Sequence, residues 1–240
     1  MPVFTLEATP CNTLKLTLED KILTVSLNRP VQQNRVNLAM VRELQQVVSE
    51  LAFDTEGVRV VVLKGAGGGF SAGFEGIQIN ASGAPLDQNQ DLINTFFARS
   101  FQCLPQPVIA LVHGYCTQES VALLALCDVA FASADCVFGD AAMSAAQARA
   151  QDWITHDFPP PQLELEVDKL AREWLAKDPS ALQLAKESLR HVRTLSWDAV
   201  LSYTVGKQAE LKALQAHSAT ARSQAVQSFL SGKSKPGLGS

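Results

Sequence analysis

Three short runs of apolar, largely β-branched residues set the frame for this 240-residue chain: "VRVVVLKG" at 58–65, "PVIALVHG" at 107–114 and "CDVAFAS" at 127–133. A strand with one wet face alternates apolar with polar side chains. These runs do not alternate, and continuous apolarity over so few residues is the pattern of a strand covered on both faces, as in a parallel sheet. Helical spacing lies between them. Residues 37–53 place Leu38, Val41, Leu44, Val48 and Leu51 on one face, with Asn37 as N-cap. Helices are also expected over 86–103 and 119–127. Upstream, "TLKLTL" at 13–18 and "ILTVSLN" at 22–28 do alternate, on either side of a tight "EDK" turn, which is the pattern of a β-hairpin. Strands interleaved with helices give an α/β class with a largely parallel sheet.

From residue 144 the pattern is helical throughout. The proline-led stretch at 159–177, "DPSALQLAKESLRHV" and "SWDAVLSYTVGKQAELKALQ" each read as a helix, and the Gly-Lys-Ser-Pro tail after Gly232 reads as loose. The expected division is a core over 1–143 and a helical region over 144–240. No internal repeat or low-complexity segment interrupts it.

Composition excludes several function classes. A net charge of -4 gives no electrostatic reason for nucleic acid or an anionic membrane as partner. The five cysteines form no CxxC pair and the four histidines are isolated, so a metal site is not expected and a reducing compartment is. No stretch resembles a signal peptide and no apolar run has bilayer length, so the expected location is cytoplasmic.

Two strand-end turns could carry chemistry. "GAGGGFSAGFEGIQI" at 65–79 follows a buried strand with a glycine-rich turn, where a ligand can approach the backbone closely. It has no GKS or GKT, and its glycines are clustered, so it is neither a P-loop nor a dinucleotide fingerprint. "HGYCTQES" at 113–120 is the second such turn, leading into a helix start. One backbone N–H from each turn could together hold a developing oxyanion.

"LNRP" at 27–30, "GAGGGFSAGFE" at 65–75, "PVIALVHGYC…CD" at 107–128, "FG" at 138–139, the proline-led helix, "DPSALQLAKESL" and the C-terminal "AVQSFLSGKSKPG" together resemble the crotonase (enoyl-CoA hydratase/isomerase) superfamily across nearly the whole chain. The resemblance implies a ββα spiral core, a helical C-terminal trimerisation region and an acyl-CoA thioester as ligand. Coenzyme A would enter as part of the substrate, with no other cofactor. The assembly implied is a homotrimer or a dimer of trimers, or a hetero-oligomer with a paralogue. The thioester carbonyl would sit between the N–H groups of Phe74 and Glu119. Arg29 would lie near the CoA diphosphate, Ala72 and Gly73 near the adenine and thioester, and Phe229 and Lys233 would reach a neighbour's nucleotide. Tyr203 falls where the hydroxycinnamoyl-CoA hydratase-lyase branch has a substrate tyrosine, although the residue pattern itself favours core packing.

The departures from the family pattern are as specific as the match. Gln118-Glu119-Ser120 stands in place of a Gly-Gly-Gly turn, and a Glu side chain there brings negative charge towards a developing oxyanion. The positions of the two hydratase glutamates are Ala122 and Ala142, so water addition by that pair is not expected. A segment of roughly thirty residues that walls the acyl pocket in the family is missing after "FGDAA", which opens that side to water. Asp140 and Glu119 are the candidate replacements for the lost acid and base. Glu75, His113 and Asp128 read as structural. Three readings stay open: a hydratase/isomerase-like enzyme on an acyl-CoA or carrier-protein thioester with altered catalytic residues; a non-catalytic CoA-binding or partner subunit; and a decarboxylase or hydrolase using only the oxyanion hole.

Overall fold

The structure, a computed structural model, describes residues 11–75, 101–192 and 194–230, and for residue 101 and residues 218–230 the backbone alone. The chain divides into two compact units, Met1–Pro179 and Ser180–Ser240.

The first unit begins with the expected hairpin. β1 (Leu14–Glu19) and β2 (Ile22–Leu27) pair antiparallel, with Leu14 opposite Leu27 and Glu19 opposite Ile22. The two turn residues, Asp20 and Lys21, both have left-handed φ (48° and 67°), which matches the twist of the strands they join. A parallel partner for β2 needs a crossover. It is supplied by α1 (Leu38–Leu51), whose start is fixed by the Asn37 side chain accepting the Met40 N–H at 2.9 Å. β3 (Val60–Gly65) follows, and then β4 (Val108–Val112), β6 (Val129–Ser133) and β9 (His156–Phe158) join in the sheet order β1-β2-β3-β4-β6-β9, all parallel from β2 onward.

The unbroken apolar runs have the predicted cause. Val61, Leu63, Val108, Ala110 and Val112 face a core that includes Met40, Val41, Leu44, Val47 and Leu51 of α1. Val60, Val62, Ile109, Leu111 and Phe131 face the opposite side, against Leu163, Val167 and Ala171 of the helix Pro160–Leu175. Over Val60–Leu63 and Val108–Val112 a residue pointing either way meets apolar neighbours, so no polar position is left to alternate there.

A second, smaller sheet holds β5 (Tyr115–Cys116), β7 (Val137–Phe138) and β8 (Met143–Ser144). β5 and β7 are parallel, and Ser71 bridges Cys116 in the same direction. The helix expected over 119–127 is only α2 (Val121–Leu124), because Leu126–Asp128 must already turn back to start β6, and Asp128 Oδ2 accepts the Val108 N–H at 2.8 Å. Most of the helix expected over 86–103 lies outside the described residues; Phe101–Cys103 is a 3-10 turn.

Residues 144–179 are not helical throughout. α3 (Ala145–Ala150) starts on a Ser144/Gln147 capping box, then β9 pairs with β6 before α4 (Pro160–Leu175). β9 joins the large sheet and α4 packs against it, and the first compact unit runs to Pro179. Arg149 pairs with Asp157 of β9 at 2.6 Å, and Pro159, Pro160 and Pro161 follow the strand. The helical C-terminal region is present as α5 (Pro179–Val192) and the 34-residue α6 (Trp197–Leu230).

Gln106 ties the end of α1 to the approach of β3 and β4. Its buried amide nitrogen donates to the carbonyls of Leu51 (2.9 Å), Asp54 (2.7 Å) and Val58 (3.3 Å). Gln106→Leu removes this shared donor from all three carbonyls, and a loss of about 2–4 kcal/mol is expected in urea unfolding.

Candidate active site

Three strand-end turns meet beside the small sheet. The first, 66–74, follows β3. It is held by Asn34, a fully buried residue whose amide donates to the carbonyls of Ala66 (2.8 Å) and Gly69 (2.9 Å) and whose side-chain oxygen accepts the Arg29 N–H at 3.0 Å. The loop is laced further by Ser71 Oγ to Asn34 O (2.9 Å), Ala72 N to Gln33 O (2.9 Å) and Val36 N to Gly73 O (2.9 Å). The second turn, 117–120, follows β5. Thr117 N (3.2 Å) and Ser120 Oγ (2.8 Å) both donate to the carbonyl of Ser71, which locks it against the first. The third, 139–142, follows β7; Gly139 N donates to Cys116 O at 2.9 Å, and the Gln118 side chain lies against Gly139. The chain leaving β4 crosses the first turn at Gly114, whose φ is +66° and where a methyl group would overlap the Gly68 carbonyl.

This arrangement brings Phe74, Glu119, Ala72 and Gly73 together. Phe74 is buried, and its N–H donates to Glu119 Oε2 at 3.1 Å. Among the described residues no hydrogen bond engages the Glu119 N–H. Two backbone donors therefore stand on adjoining turns, one of them already holding a carboxylate. Chemically, such a pair can stabilise an oxyanion, with Phe74 as the more buried member. α2 is a single turn, so the helix dipole adds little to it.

Asp140 is exposed on the third turn, one peptide from Gly139. Ala122 lies in α2 and Ala142 is exposed with a left-handed φ of 51°; neither side chain can carry a proton. The Arg29 guanidinium reaches Glu75 at 2.5 Å and the Arg35 carbonyl at 2.7 Å, so it braces both ends of the 30–36 segment to the first turn. His113 Nε2 bonds the Gly67 carbonyl at 2.9 Å, a turn-holding role. Tyr203 lies in the second unit between α5 and α6, its hydroxyl donating to Glu187 Oε1 at 3.3 Å, with the Lys207 ammonium over its ring. Phe229 is in α6, where only the backbone is described, and Lys233 lies outside the described residues.

No disulfide joins the five cysteines. Burial pushes the Cys136 thiol up to about 12 and raises Cys116 further, so both stay protonated and act as small apolar groups rather than nucleophiles. Among the described residues no cluster of three potential metal ligands occurs, and no helix is long and apolar enough to cross a membrane.

Sequence reasoning missed Asn34. The signal was present in "QQNRVN": a left-handed φ of 54° is most easily taken by asparagine among residues with a polar side chain. Ser71 and Ser120, both fully buried, were missed for the same reason, being small polar residues in apparent loops.

The family described as "Enoyl-CoA hydratase/isomerase" matches residues 17–145. Hydroxycinnamoyl-CoA hydratase-lyase of Pseudomonas fluorescens is 26% identical over 94% of this chain and 95% of that protein. Human mitochondrial delta(3,5)-delta(2,4)-dienoyl-CoA isomerase is 28% identical over 79% of this chain and 72% of that one. In fold, the crystal structure of an enoyl-CoA hydratase from Mycobacterium smegmatis superposes with a TM-score of 0.71 at 25% identity, covering 82% of this chain and 90% of that one.

The Asn34 brace is testable. Asn34→Ala removes two donors and an acceptor and places an alanine in left-handed backbone; a stability loss of about 2–4 kcal/mol is expected from denaturant unfolding.

Proposed function

The chain belongs to the enoyl-CoA hydratase/isomerase family, and from that premise we infer that it binds an acyl-CoA thioester with the carbonyl at the Phe74 and Glu119 N–H groups and stabilises the enolate formed there. The observation that carries this reading is the mutual locking of the 66–74 and 117–120 turns through the Ser71 carbonyl, which fixes two backbone donors on adjoining turns. Backbone donors held in advance need no reorganisation as charge develops, and removing one such donor from an oxyanion hole typically costs about a hundredfold or more in rate.

Acid–base chemistry is altered from the family pattern. With alanine at 122 and 142, the carboxylate on the turns beside the hole that is not engaged in it is Asp140. It serves as the proton donor or acceptor for the acyl chain in this reading. In this reading Ala72 lies near the adenine, Gly73 near the thioester and Arg29 near the CoA diphosphate. Trimeric assembly, with Phe229 and Lys233 serving a neighbour's nucleotide, extends the same proposal.

A second reading is a thioester-binding partner subunit without turnover. It is favoured by the Glu119 carboxylate on the Phe74 N–H together with the two alanines.

The test is product detection by mass spectrometry with hydroxycinnamoyl-, 2-enoyl- and 3,5-dienoyl-CoA, beside Asp140→Asn. Turnover that falls about a hundredfold in Asp140→Asn with ester binding intact is expected for the enzyme. Binding of the esters without turnover of any of them selects the partner subunit. Absence of binding overturns both.

A further inference from the structure

The N–H of Phe74 is aimed at an anion that the chain itself supplies. Glu119 Oε2 accepts it at 3.1 Å. The carboxylate is closely seated over the first turn: a methyl group at Gly73 would collide with Oε2 and come within 3.0 Å of the Glu119 Cβ. Gly73 has φ +94°, and its lack of a side chain leaves that seat open. The turn that carries the glutamate is pinned by Thr117 and Ser120 to Ser71, so the side chain starts from a fixed place. Among the described residues no lysine, arginine or histidine pairs with Glu119. Its negative charge is committed to a backbone amide in the position where a thioester oxygen would be held.

We propose that Glu119 is an intramolecular plug of the oxyanion site: a thioester carbonyl reaches the Phe74 N–H only when the Glu119 side chain turns out into water. This rests on the thioester reading above. The carboxylate oxygen already fills the place in front of the Phe74 N–H that a thioester oxygen would take, and a carboxylate left nearby opposes the negative charge an enolate develops. The residue is exposed, so the outward rotamer is fully hydrated and the exchange is reversible. The plug thus acts as a gate with a defined cost to the ligand: one charge-assisted hydrogen bond, equivalent to a discount of about tenfold or more in affinity. Coenzyme A without an acyl group has no thioester carbonyl for the hole, and its binding does not pass through the gate.

That difference gives the test. Full-length wild type, Glu119→Gly and Glu119→Gln are titrated by calorimetry with butyryl-CoA and with coenzyme A. In parallel the Phe74 amide is followed by NMR in protein labelled with 15N-phenylalanine. Butyryl-CoA is expected to bind Glu119→Gly about tenfold tighter or more than wild type, with coenzyme A unchanged and Glu119→Gln between. The Phe74 amide proton is expected to move upfield on loss of its carboxylate partner. Should Glu119→Gly fail to fold by circular dichroism, Glu119→Gln carries the same comparison at smaller amplitude. Equal or weaker butyryl-CoA binding in the variants, equal tightening for coenzyme A, or an unmoved Phe74 resonance overturns the plug. Failure of every protein to bind either ligand overturns the thioester reading itself, and the Phe74 resonance then still reports whether the carboxylate holds the amide.

Discussion

The rest of the molecule depends on the sealing of β3 and β4 on both faces. Val61 and Val62 are paired in parallel with Val108 and Ile109, and each strand sends alternate side chains into one of two cores. A pair so enclosed cannot slip by one residue without exchanging what faces α1 for what faces α4, although both faces are apolar. Volume decides instead: small Ala110 points one way and Ile109 and Leu111 the other. With the register set, both strands end at the same side of the sheet. The chain leaving each must turn there, and the two turns come close enough that only glycine fits at 114.

The site built on that frame is mostly backbone. Its donors are peptide N–H groups, its supports are carbonyls and the side chains of Asn34, Ser71 and Ser120, and its glycines make room. Side-chain chemistry is thin by comparison, with alanine at 122 and 142. A scaffold of this kind tolerates exchange of acid and base because neither helps to hold it up. The braces are different in this respect: Asn34 and Ser71 sit where loss of a polar atom leaves several buried partners unmet.

Much of this was legible in the sequence. Continuous apolar runs located β3, β4 and β6, alternation located the hairpin, and an asparagine before a helical period located the start of α1. The two turns were visible as glycine-rich or polar breaks after buried strands. The two-residue strands β5, β7 and β8 were not legible, since so short a stretch has no period. "HDF" was not legible as β9, because it is strand only by pairing with β6 and its residues carry no strand signature. The direction of the Glu119 side chain was not legible either. Sequence placed a carboxylate on the turn; only the fold, by bringing Gly73 beneath it, decides that it lies over the first turn.

The far edge of the sheet has a consequence for the behaviour of the molecule in a crowded solution. An open strand edge offers unpaired N–H and C=O groups to any other extended chain, which is how sheets recruit one another into aggregates. β9 is three residues long, carries a histidine and an aspartate tethered to Arg149, and runs directly into Pro159, Pro160 and Pro161. Proline has no N–H to give a visiting strand. The prolines that lead into α4 therefore also keep this edge short, so the residues that return the chain to cover the second core leave a visiting strand only three residues to pair with.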